Sequence, residues 1–327
     1  MLPHTPRSTL PAIVALAAVL AVLAPLTAVG PAAYAAPVAA ASAPTAVQTA
    51  APPAERNPSL DHPRLPQRCL EGDEYIPSNA EICRIRWYGA RRPTIVMWGD
   101  SHSWQHEPAV LEAVRGKRVN LVAFFMGSCP AHLVYRSKKG GHYRTGCEVT
   151  NAAALEWVTR QHDRGRDLRV LLGGAWSSYR LLYRAVRRGD TADVTDFQAQ
   201  MATLYHEGTA KLFRRLGAEG VDTDVIAQGV FVPEDPPACD RVTPYPCDFS
   251  RKAGLPGEAA TKRWLKRQMR KLPGRPVYVD PNGKVCGRST CHGVVDGIYT
   301  FFDRGHYSAT RSRTFVNHFR KSVNRLL

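Results

Sequence analysis

The sequence predicts an α/β fold, a three-layer α/β/α sandwich in which helices cover both faces of a central parallel sheet. Five short apolar runs alternate with longer segments of helical periodicity, which is the pattern of strand–helix–strand units. The runs lack polar alternation, as expected of strands that are buried on both faces. With 44% hydrophobic and 22% charged residues, the composition fits a globular protein and excludes general disorder or a polytopic membrane protein.

The strands and helices follow one another without an internal repeat. The predicted strands are residues 94–98, 119–125, 168–172, 223–227 and 276–279. The predicted helices are residues 103–115, 147–162, 179–188, 193–216, 257–271 and 309–326. In an open parallel sheet, ligands bind beyond the carboxyl ends of the strands, so the residues that follow each strand are the first candidates for a functional site.

The N-terminus has the features of a secretory signal peptide. Arg7 supplies a positive charge, residues 12–24 form an apolar segment, and residues 33–35 read as an A-x-A cleavage site. We therefore predict a signal peptide over residues 1–35 that is cleaved after Ala35. The mature protein is then secreted. An uncleaved anchor is the alternative, because apolar character continues to about Val29.

The rest of the chain divides into two parts. Residues 36–59 are rich in Ala and Pro and have almost no large apolar side chains, a composition that predicts a flexible linker. Residues 60–327 contain no second linker and are predicted to form a single domain of ordinary size.

The chain is strongly basic. It has 44 Lys and Arg against 28 Asp and Glu, a formal net charge of +16. The positive residues are spread along the chain, with a dense stretch over residues 262–275. For a secreted protein this charge predicts weak association with an anionic cell-wall polymer. The alternative is a solvated basic surface that keeps the protein soluble. No nucleic-acid-binding motif is present, so nucleic acid is not an expected partner.

Eight cysteines in a secreted chain predict disulfide bonds. They fall into four couples that are close in sequence, each in a loop-like segment. The predicted pairs are Cys69–Cys83, Cys129–Cys147, Cys239–Cys247 and Cys286–Cys291. A metal site at Cys286, Cys291 and His292 is the alternative for the last couple, but the C-x4-C-H spacing is a poor zinc signature.

A possible nucleophile follows the first predicted strand. The motif GDSHS at residues 99–103 places Ser101 at the turn into a helix, where free backbone N–H groups face any group that the serine attacks. This position suits a nucleophile whose reaction generates an oxyanion. The alternative is a serine that only caps the helix, together with Asp100.

A possible base lies before the last predicted helix. The sequence Asp303-Arg304-Gly305-His306 can place a carboxylate and an imidazole within one turn. A serine nucleophile needs a base, and the base needs an acceptor that orients it. Taken alone, the segment could also be a surface loop with a solvated histidine.

Together the two motifs resemble the SGNH/GDSL hydrolase superfamily, and most closely the SGNH domains associated with acyltransferase-3 proteins, which O-acylate cell-surface sugars. The resemblance is carried by GDSHS at 99–103, GSCP at 127–130, GGAW at 173–176 and DRGHYS at 303–308. It covers roughly residues 66–327 and implies an SGNH, flavodoxin-like catalytic domain with disulfide-stapled loops.

The resemblance also implies the roles of individual residues. Ser101 would be the nucleophile, His306 the general base and Asp303 the acid that orients the base. The oxyanion hole would consist of the backbone N–H groups of Ser101 and Gly127.

The third motif departs from the family. The usual G-x-N-D asparagine is absent from residues 173–176, which leaves a third oxyanion donor open. Trp176 could line the substrate site or could be a purely structural side chain. His102, next to the nucleophile, could bind substrate or could cap the helix, and Asp100 is expected to brace the turn.

These implications point to a secreted serine esterase or O-acyltransferase that acts on O-acylated, in particular acetylated, carbohydrate or cell-wall glycan through an acyl-serine intermediate. The alternatives are a broad-range extracellular GDSL lipase or esterase and a non-catalytic wall-binding module on the same scaffold. The expected substrate is an acylated carbohydrate or a small ester. We expect a monomer that needs no cofactor and no metal.

Overall fold

A mixed, mostly parallel sheet of six strands lies at the centre of the computed structural model, which describes residues 58–77, 82–133, 146–233 and 246–327. The strands are β1 (Cys83–Arg86), β2 (Thr94–Gly99), β3 (Asn120–Phe125), β4 (Leu168–Gly173), β5 (Thr223–Ile226), β6 (Phe249–Ser250), β7 (Tyr278–Val279), β8 (Thr290–Cys291), β9 (Val294–Val295) and β10 (Ile298–Tyr299). The central sheet has the order β1-β3-β2-β4-β5-β7. Two short antiparallel pairs, β9–β10 and β6–β8, lie outside it.

The five predicted parallel strands are confirmed as β2, β3, β4, β5 and β7. β2 pairs along its whole length with β3 and β4, so that Gly99 lies beside Phe125 and Gly173. The carboxyl ends of the three central strands therefore meet at one edge of the sheet. The edge strand β1, antiparallel to β3, was not predicted.

Helices cover both faces of the sheet. They are α1 (Ser101–Trp104), α2 (Glu107–Ala113), α3 (Gly146–Asp163), α4 (Trp176–Arg188), α5 (Asp196–Leu204), α6 (Ala210–Ala218), α7 (Arg251–Gly254), α8 (Glu258–Met269), α9 (Ala309–Arg313) and α10 (Val316–Asn324). A π-helical turn, Tyr205–Thr209, joins α5 to α6. The predicted helix 103–115 is in fact two helices, because Pro108 has no backbone N–H and favours the first turn of a new helix.

Alternate residues of β2 belong to two separate cores, which confirms the three-layer sandwich. Ile95 and Met97 pack in the core formed with α1, α2 and α10, whereas Val96 and Trp98 pack in the core formed with α3, α4, α6 and α8. All four side chains are essentially inaccessible to solvent. Because each strand residue is buried on one face or the other, the strand sequence is continuously apolar.

Three of the predicted disulfides are present, Cys69–Cys83, Cys129–Cys147 and Cys286–Cys291. The bond between Cys286 and Cys291 removes both sulfurs as thiolate ligands, which rules out the alternative metal site. Cys247 also lies in a disulfide. Its predicted partner, Cys239, is outside the described residues, so that pairing stays a prediction.

The predicted signal peptide and nearly all of the predicted linker are also outside the described residues. The described chain starts with a 3-10 turn, Pro58–Leu60, and its residues belong to one compact unit. Within the described segments, no helix is both long and apolar enough to cross a membrane.

Candidate active site

The chain packs unusually closely where β2 and β4 end. Gly99 has a φ of +148°, and a Cβ at this position would lie 1.9 Å from the carbonyl oxygen of Gly173. A Cβ on Gly173 would in turn lie 2.7 Å from that of Ser103. Only glycine fits both positions. The two glycines therefore let α1 start directly against the strand ends, and this fixes the position of Ser101.

Asp100 braces this turn, as expected. Its Oδ1 accepts a hydrogen bond from the His102 N–H at 2.8 Å and so caps α1. Its Oδ2 accepts from the Ala175 N–H at 2.9 Å and from the Tyr179 hydroxyl at 2.6 Å. Burial raises the pKa of Asp100, and the three donated hydrogen bonds oppose that rise. The carboxyl group thus ties the start of α1 to the start of α4.

Ser101 is the first residue of α1 and is partly exposed. A backbone N–H at this position has no partner within the helix, so it can donate to a bound group. The helix N-terminus also favours negative charge close to the serine.

Asp303 and His306 form a tight hydrogen-bonded turn. Oδ1 of Asp303 accepts from the backbone N–H of Gly305 at 2.7 Å and of His306 at 2.8 Å. Oδ2 lies 2.8 Å from His306 Nδ1. A carboxylate can only accept here, so the imidazole carries its proton on Nδ1. Nε2 is buried and has no hydrogen-bond partner among the described residues, which leaves it ready to accept a proton.

One cavity joins the two predicted catalytic motifs. It has a volume of about 280 Å³, and Ser101, His102 and His306 all contribute to its wall. Its apolar wall is formed by Leu182, Phe197, Met201 and Phe231. Ser101 and His306 are far apart in sequence, and the fold brings them to the same small space.

Tyr307 anchors the loop that carries His306, the predicted base. Its backbone N–H donates to Gln105 Oε1 at 2.8 Å, and its hydroxyl donates to Asn282 Oδ1 at 2.7 Å. The same hydroxyl accepts from the Val230 N–H at 3.0 Å. The loop before α9 is thereby attached both to the α1–α2 turn, which follows Ser101, and to the segment after β5.

The contact between Tyr307 and Gln105 also determines which ring nitrogen of His102 carries the proton. Because Gln105 Oε1 accepts from Tyr307, its amide NH₂ faces His102 Nδ1, 3.2 Å away. Nδ1 therefore accepts, and the proton of the ring is on Nε2. Burial lowers the pKa of His102 well below its usual value, so the ring is neutral. Its ring contacts those of Phe231 and His306, with ring centroids 4.6 and 5.1 Å away.

Gly127 is not at the cavity wall in this structure. Its N–H donates to the carbonyl oxygen of Pro77 at 3.3 Å. The next residue, Ser128, has a positive φ of 57° and lines the cavity. A role for Gly127 as oxyanion donor would require its N–H to exchange Pro77 for substrate, and that role stays a prediction.

Trp176 is a packing residue, which favours the purely structural one of the two interpretations. It is fully buried, and its indole N–H donates to the Ile226 carbonyl at 2.9 Å. Its ring faces Tyr205 in the core, with centroids 6.4 Å apart. At the first position of α4, its side chain points into the core on the α4 face of the sheet and away from the cavity.

Sequence reasoning missed Gln105, Tyr179 and Phe231. Gln105 and Tyr179 act through contacts with residues far away in sequence, and no local pattern signals such contacts. Phe231 follows the predicted fourth strand by a few residues, so the rule that ligands bind beyond strand ends could have found it.

The match to a protein-family model agrees with the sequence motifs. A family model described as "SGNH domain (fused to AT3 domains)" matches residues 68–321. The periplasmic domain of a lipopolysaccharide acetyltransferase from Salmonella ser. Paratyphi A is similar over 71% of this chain and 84% of that chain, with 14% identity and a TM-score of 0.44. A carbohydrate acetylesterase family member from Sinorhizobium meliloti is similar over 72% of this chain and 99% of that chain, with 16% identity and a TM-score of 0.33. Among curated proteins there is no match.

Proposed function

Because the chain belongs to the family of SGNH domains that are fused to AT3 domains, we propose that it is a serine esterase or O-acyltransferase acting on O-acetylated carbohydrate. The observation that carries the proposal is the shared cavity of Ser101 and His306. Asp303 holds the imidazole so that its unprotonated nitrogen is the one without a hydrogen-bond partner among the described residues. A base held in this way can take the proton of a serine hydroxyl that comes within hydrogen-bond reach of it.

The reaction follows from the positions of these groups. Ser101 Oγ attacks the ester carbonyl, and His306 Nε2 takes the hydroxyl proton. The Ser101 N–H and, after exchange of its present bond, the Gly127 N–H stabilise the oxyanion. The sugar oxygen then leaves with the proton from His306, and an acyl-serine remains. Water completes hydrolysis by attacking this ester, whereas a second sugar hydroxyl completes transfer. In both cases His306 accepts the proton of the attacking group and then gives it to Ser101 Oγ, which leaves as the free hydroxyl.

The size of the cavity supports a short acyl group. At about 280 Å³ it lies at the lower end of the volumes of small-molecule sites, which run to about 1,000 Å³. Leu182 and Phe231 give the acyl methyl group an apolar surface. A long fatty acyl chain would have to extend over the protein surface, which favours a carbohydrate acetylesterase over the lipase alternative.

His102 supplies a further donor to substrate. Its Nε2 carries the proton, and its ring forms part of the cavity wall beside His306. A neutral imidazole can donate to a carbonyl or sugar oxygen without competing with His306 for the transferred proton. His102→Ala should therefore lower kcat/KM for acetylated sugar while leaving the thermal unfolding midpoint within a few degrees of wild type.

Export supports an extracellular substrate. The predicted signal peptide and the disulfide bonds are both typical of proteins from oxidising compartments. A glycan of the cell wall or the cell surface is then the accessible source of acetyl esters.

The test is hydrolysis of p-nitrophenyl acetate by the wild type, Ser101→Ala and His306→Ala, with Ser289→Ala as the matched control. Ser289 is exposed and is not part of the cavity wall. We expect turnover to disappear in the two site variants and to persist in the control. Turnover that survives Ser101→Ala would overturn the nucleophile assignment. Faster hydrolysis of long-chain esters would favour the lipase, and normal glycan binding without turnover of any ester would favour the non-catalytic module.

A further inference from the structure

Phe197 is an exposed aromatic residue at the candidate active site. It is the only exposed phenylalanine among the described residues, and 45% of its surface is accessible to solvent. It is part of the wall of the cavity that Ser101 and His306 share. An exposed ring buries little apolar area and so contributes little to the stability of the fold. The ring is therefore available to a ligand that enters the cavity.

Helix α5 brings Phe197 to the open end of this cavity. Phe197 and Met201 are four residues apart, so they lie on the same face of α5, and both line the cavity. Met201 is only 1% exposed, whereas Phe197, one turn closer to the N-terminus of the helix, is in contact with solvent. The cavity is therefore buried beside Met201 and open beside Phe197.

A capping box holds the first turn of α5 in place. Thr195 Oγ1 accepts a hydrogen bond from the Gln198 N–H at 3.2 Å, and Gln198 Oε1 accepts from the Thr195 N–H at 3.0 Å. These bonds fix the backbone on both sides of Phe197, so a rigid turn presents the ring to a ligand. Gln198 also lines the cavity, and because its Oε1 is occupied, its amide NH₂ is the group that can donate to a ligand.

The residues at the mouth of the cavity match the two chemical sides of a sugar ring. The exposed residues of the cavity wall are Ser128, Phe197 and Gln198. A pyranose has apolar C–H groups on its faces and polar oxygens at its edge. The face of an aromatic ring carries partial negative charge, which attracts such C–H groups. Ser128 and Gln198 supply a hydroxyl and an amide for the polar edge.

We propose that the ring of Phe197 packs against the C–H face of the pyranose that carries the acetyl ester. The inference rests on the proposed function for the ester, and it goes further by assigning the alcohol part to a ring sugar rather than an acyclic alcohol. The sugar is larger and more strongly hydrated than the acetyl group, so it takes the open end of the cavity, where Phe197 lies. A long acyl chain is the other apolar group that could cover this ring, and the experiment distinguishes the two.

The experiment compares the release of carboxylic acid from three esters by the full chain. β-D-Glucose pentaacetate has an acetyl group on every hydroxyl of one pyranose, so it tests the sugar contact whichever position is cleaved. Ethyl acetate has the same acyl group and no ring, and ethyl octanoate has a long acyl chain and no ring. The variants are Phe197→Ala, which removes the aromatic ring, and Phe197→Tyr, which keeps it. Tyr88→Ala is the matched control, because Tyr88 is an aromatic residue with 48% exposure outside the cavity wall.

We expect Phe197→Ala to lower kcat/KM for glucose pentaacetate by at least about fivefold, because the sugar loses an aromatic contact and buried apolar area. The loss should appear as a higher KM with little change in kcat, since the contact is the same in the bound substrate and in the transition state. Ethyl acetate should be cleaved with wild-type kinetics. Phe197→Tyr and Tyr88→Ala should behave like the wild type on both acetates. The thermal unfolding midpoint of Phe197→Ala should not change, because the ring is exposed.

Wild-type kinetics of Phe197→Ala on glucose pentaacetate, or an equal loss on ethyl acetate, would overturn the proposal. A loss confined to ethyl octanoate would overturn it in favour of a contact with the acyl chain.

The proposed function can fail separately from the sugar contact. If the wild type cleaves none of the esters, the esterase is refuted, and calorimetric titration of glucose pentaacetate into the Ser101→Ala variant tests Phe197 by binding alone. Binding that is weakened by adding Phe197→Ala, and not by adding Tyr88→Ala, would uphold the sugar contact. Equal binding by these two double variants, or no binding at all, would overturn it.

Discussion

The substitution Asp303→Asn tests whether the turn that holds His306 sets the position of its proton. Oδ1 of Asp303 accepts two backbone N–H groups, from Gly305 at 2.7 Å and from His306 at 2.8 Å. An amide at this position must keep its carbonyl oxygen towards those donors. Its NH₂ group then replaces Oδ2, 2.8 Å from His306 Nδ1. Oδ1 lies 2.9 Å from Nδ1 but already accepts the two backbone N–H groups. The new NH₂ therefore donates to Nδ1, and the ring proton moves to Nε2, the nitrogen that in the proposed mechanism receives the proton of Ser101.

The expected loss of kcat is large because the substitution keeps the positions of the side chains but leaves His306 in the wrong tautomer. The same change in a serine protease triad lowers kcat about 10⁴-fold. At about 1.36 kcal/mol per factor of ten, this corresponds to about 5 kcal/mol of transition-state stabilisation. The fold should be little affected, because Asp303 and His306 are close to the surface, with side-chain exposures of 35% and 16%.

The assay is kcat for p-nitrophenyl acetate, together with thermal unfolding. Asp248→Asn is the matched control, because Asp248 Oδ2 also lies 2.8 Å from a histidine Nδ1, that of His292, in an exposed pair away from the cavity. The control should keep wild-type activity. If Asp303→Asn retains more than about one tenth of wild-type kcat with an unchanged unfolding midpoint, the argument from the tautomer is refuted.

Three further substitutions probe buried positions of the fold. Tyr179→Phe removes the buried donor to Asp100 and should lower the free energy of unfolding by about 1.5–3 kcal/mol in urea titrations; an unchanged midpoint would contradict the bracing role. Gly173→Ala forces a Cβ to within 2.7 Å of Ser103 and should cost about 1–3 kcal/mol in the same assay. Burial raises the pKa of Glu107 from 4.5 to about 7. Between these pH values the folded state keeps a proton that the unfolded state loses. The Glu107 side chain therefore makes the folded protein less stable as the pH rises from 4.5 to about 7. Glu107→Gln removes this effect. The free energy of unfolding of the variant minus that of the wild type should therefore increase by up to about 3 kcal/mol as the pH rises through this range. If this difference stays constant with pH, titration of Glu107 is ruled out.

The parallel strands were predictable because each is a continuous apolar run that is buried on both faces. β2, for example, is apolar from Ile95 to Trp98 and ends in glycine. The edge strand β1 was not predictable. It has the sequence Cys-Arg-Ile-Arg, and it is a strand because β3 offers an antiparallel partner, which a run of four residues does not reveal.

In the candidate site, too, contacts between residues close in sequence could be predicted, and contacts between distant residues could not. The Asp303–His306 turn could be anticipated because both side chains and both backbone donors lie within four residues. The anchoring of Tyr307 by Gln105 joins residues that are 202 positions apart, and only the folded sheet brings them together. The orientation of Trp176 was equally hidden, because a tryptophan after a strand can point to a cavity or into a core.

The hydrogen bonds of Tyr307 have a consequence for how the protein loses activity on heating. The proposed nucleophile, Ser101, starts α1 at the end of β2, and the proposed base lies in the C-terminal segment. Tyr307 joins the two through hydrogen bonds with Gln105, Asn282 and Val230. Breaking these hydrogen bonds separates Ser101 from His306, while the six strands of the sheet stay paired. Local openings of this kind need less free energy than global unfolding. Hydrolysis should therefore fail several degrees before the sheet melts, and it should return on cooling.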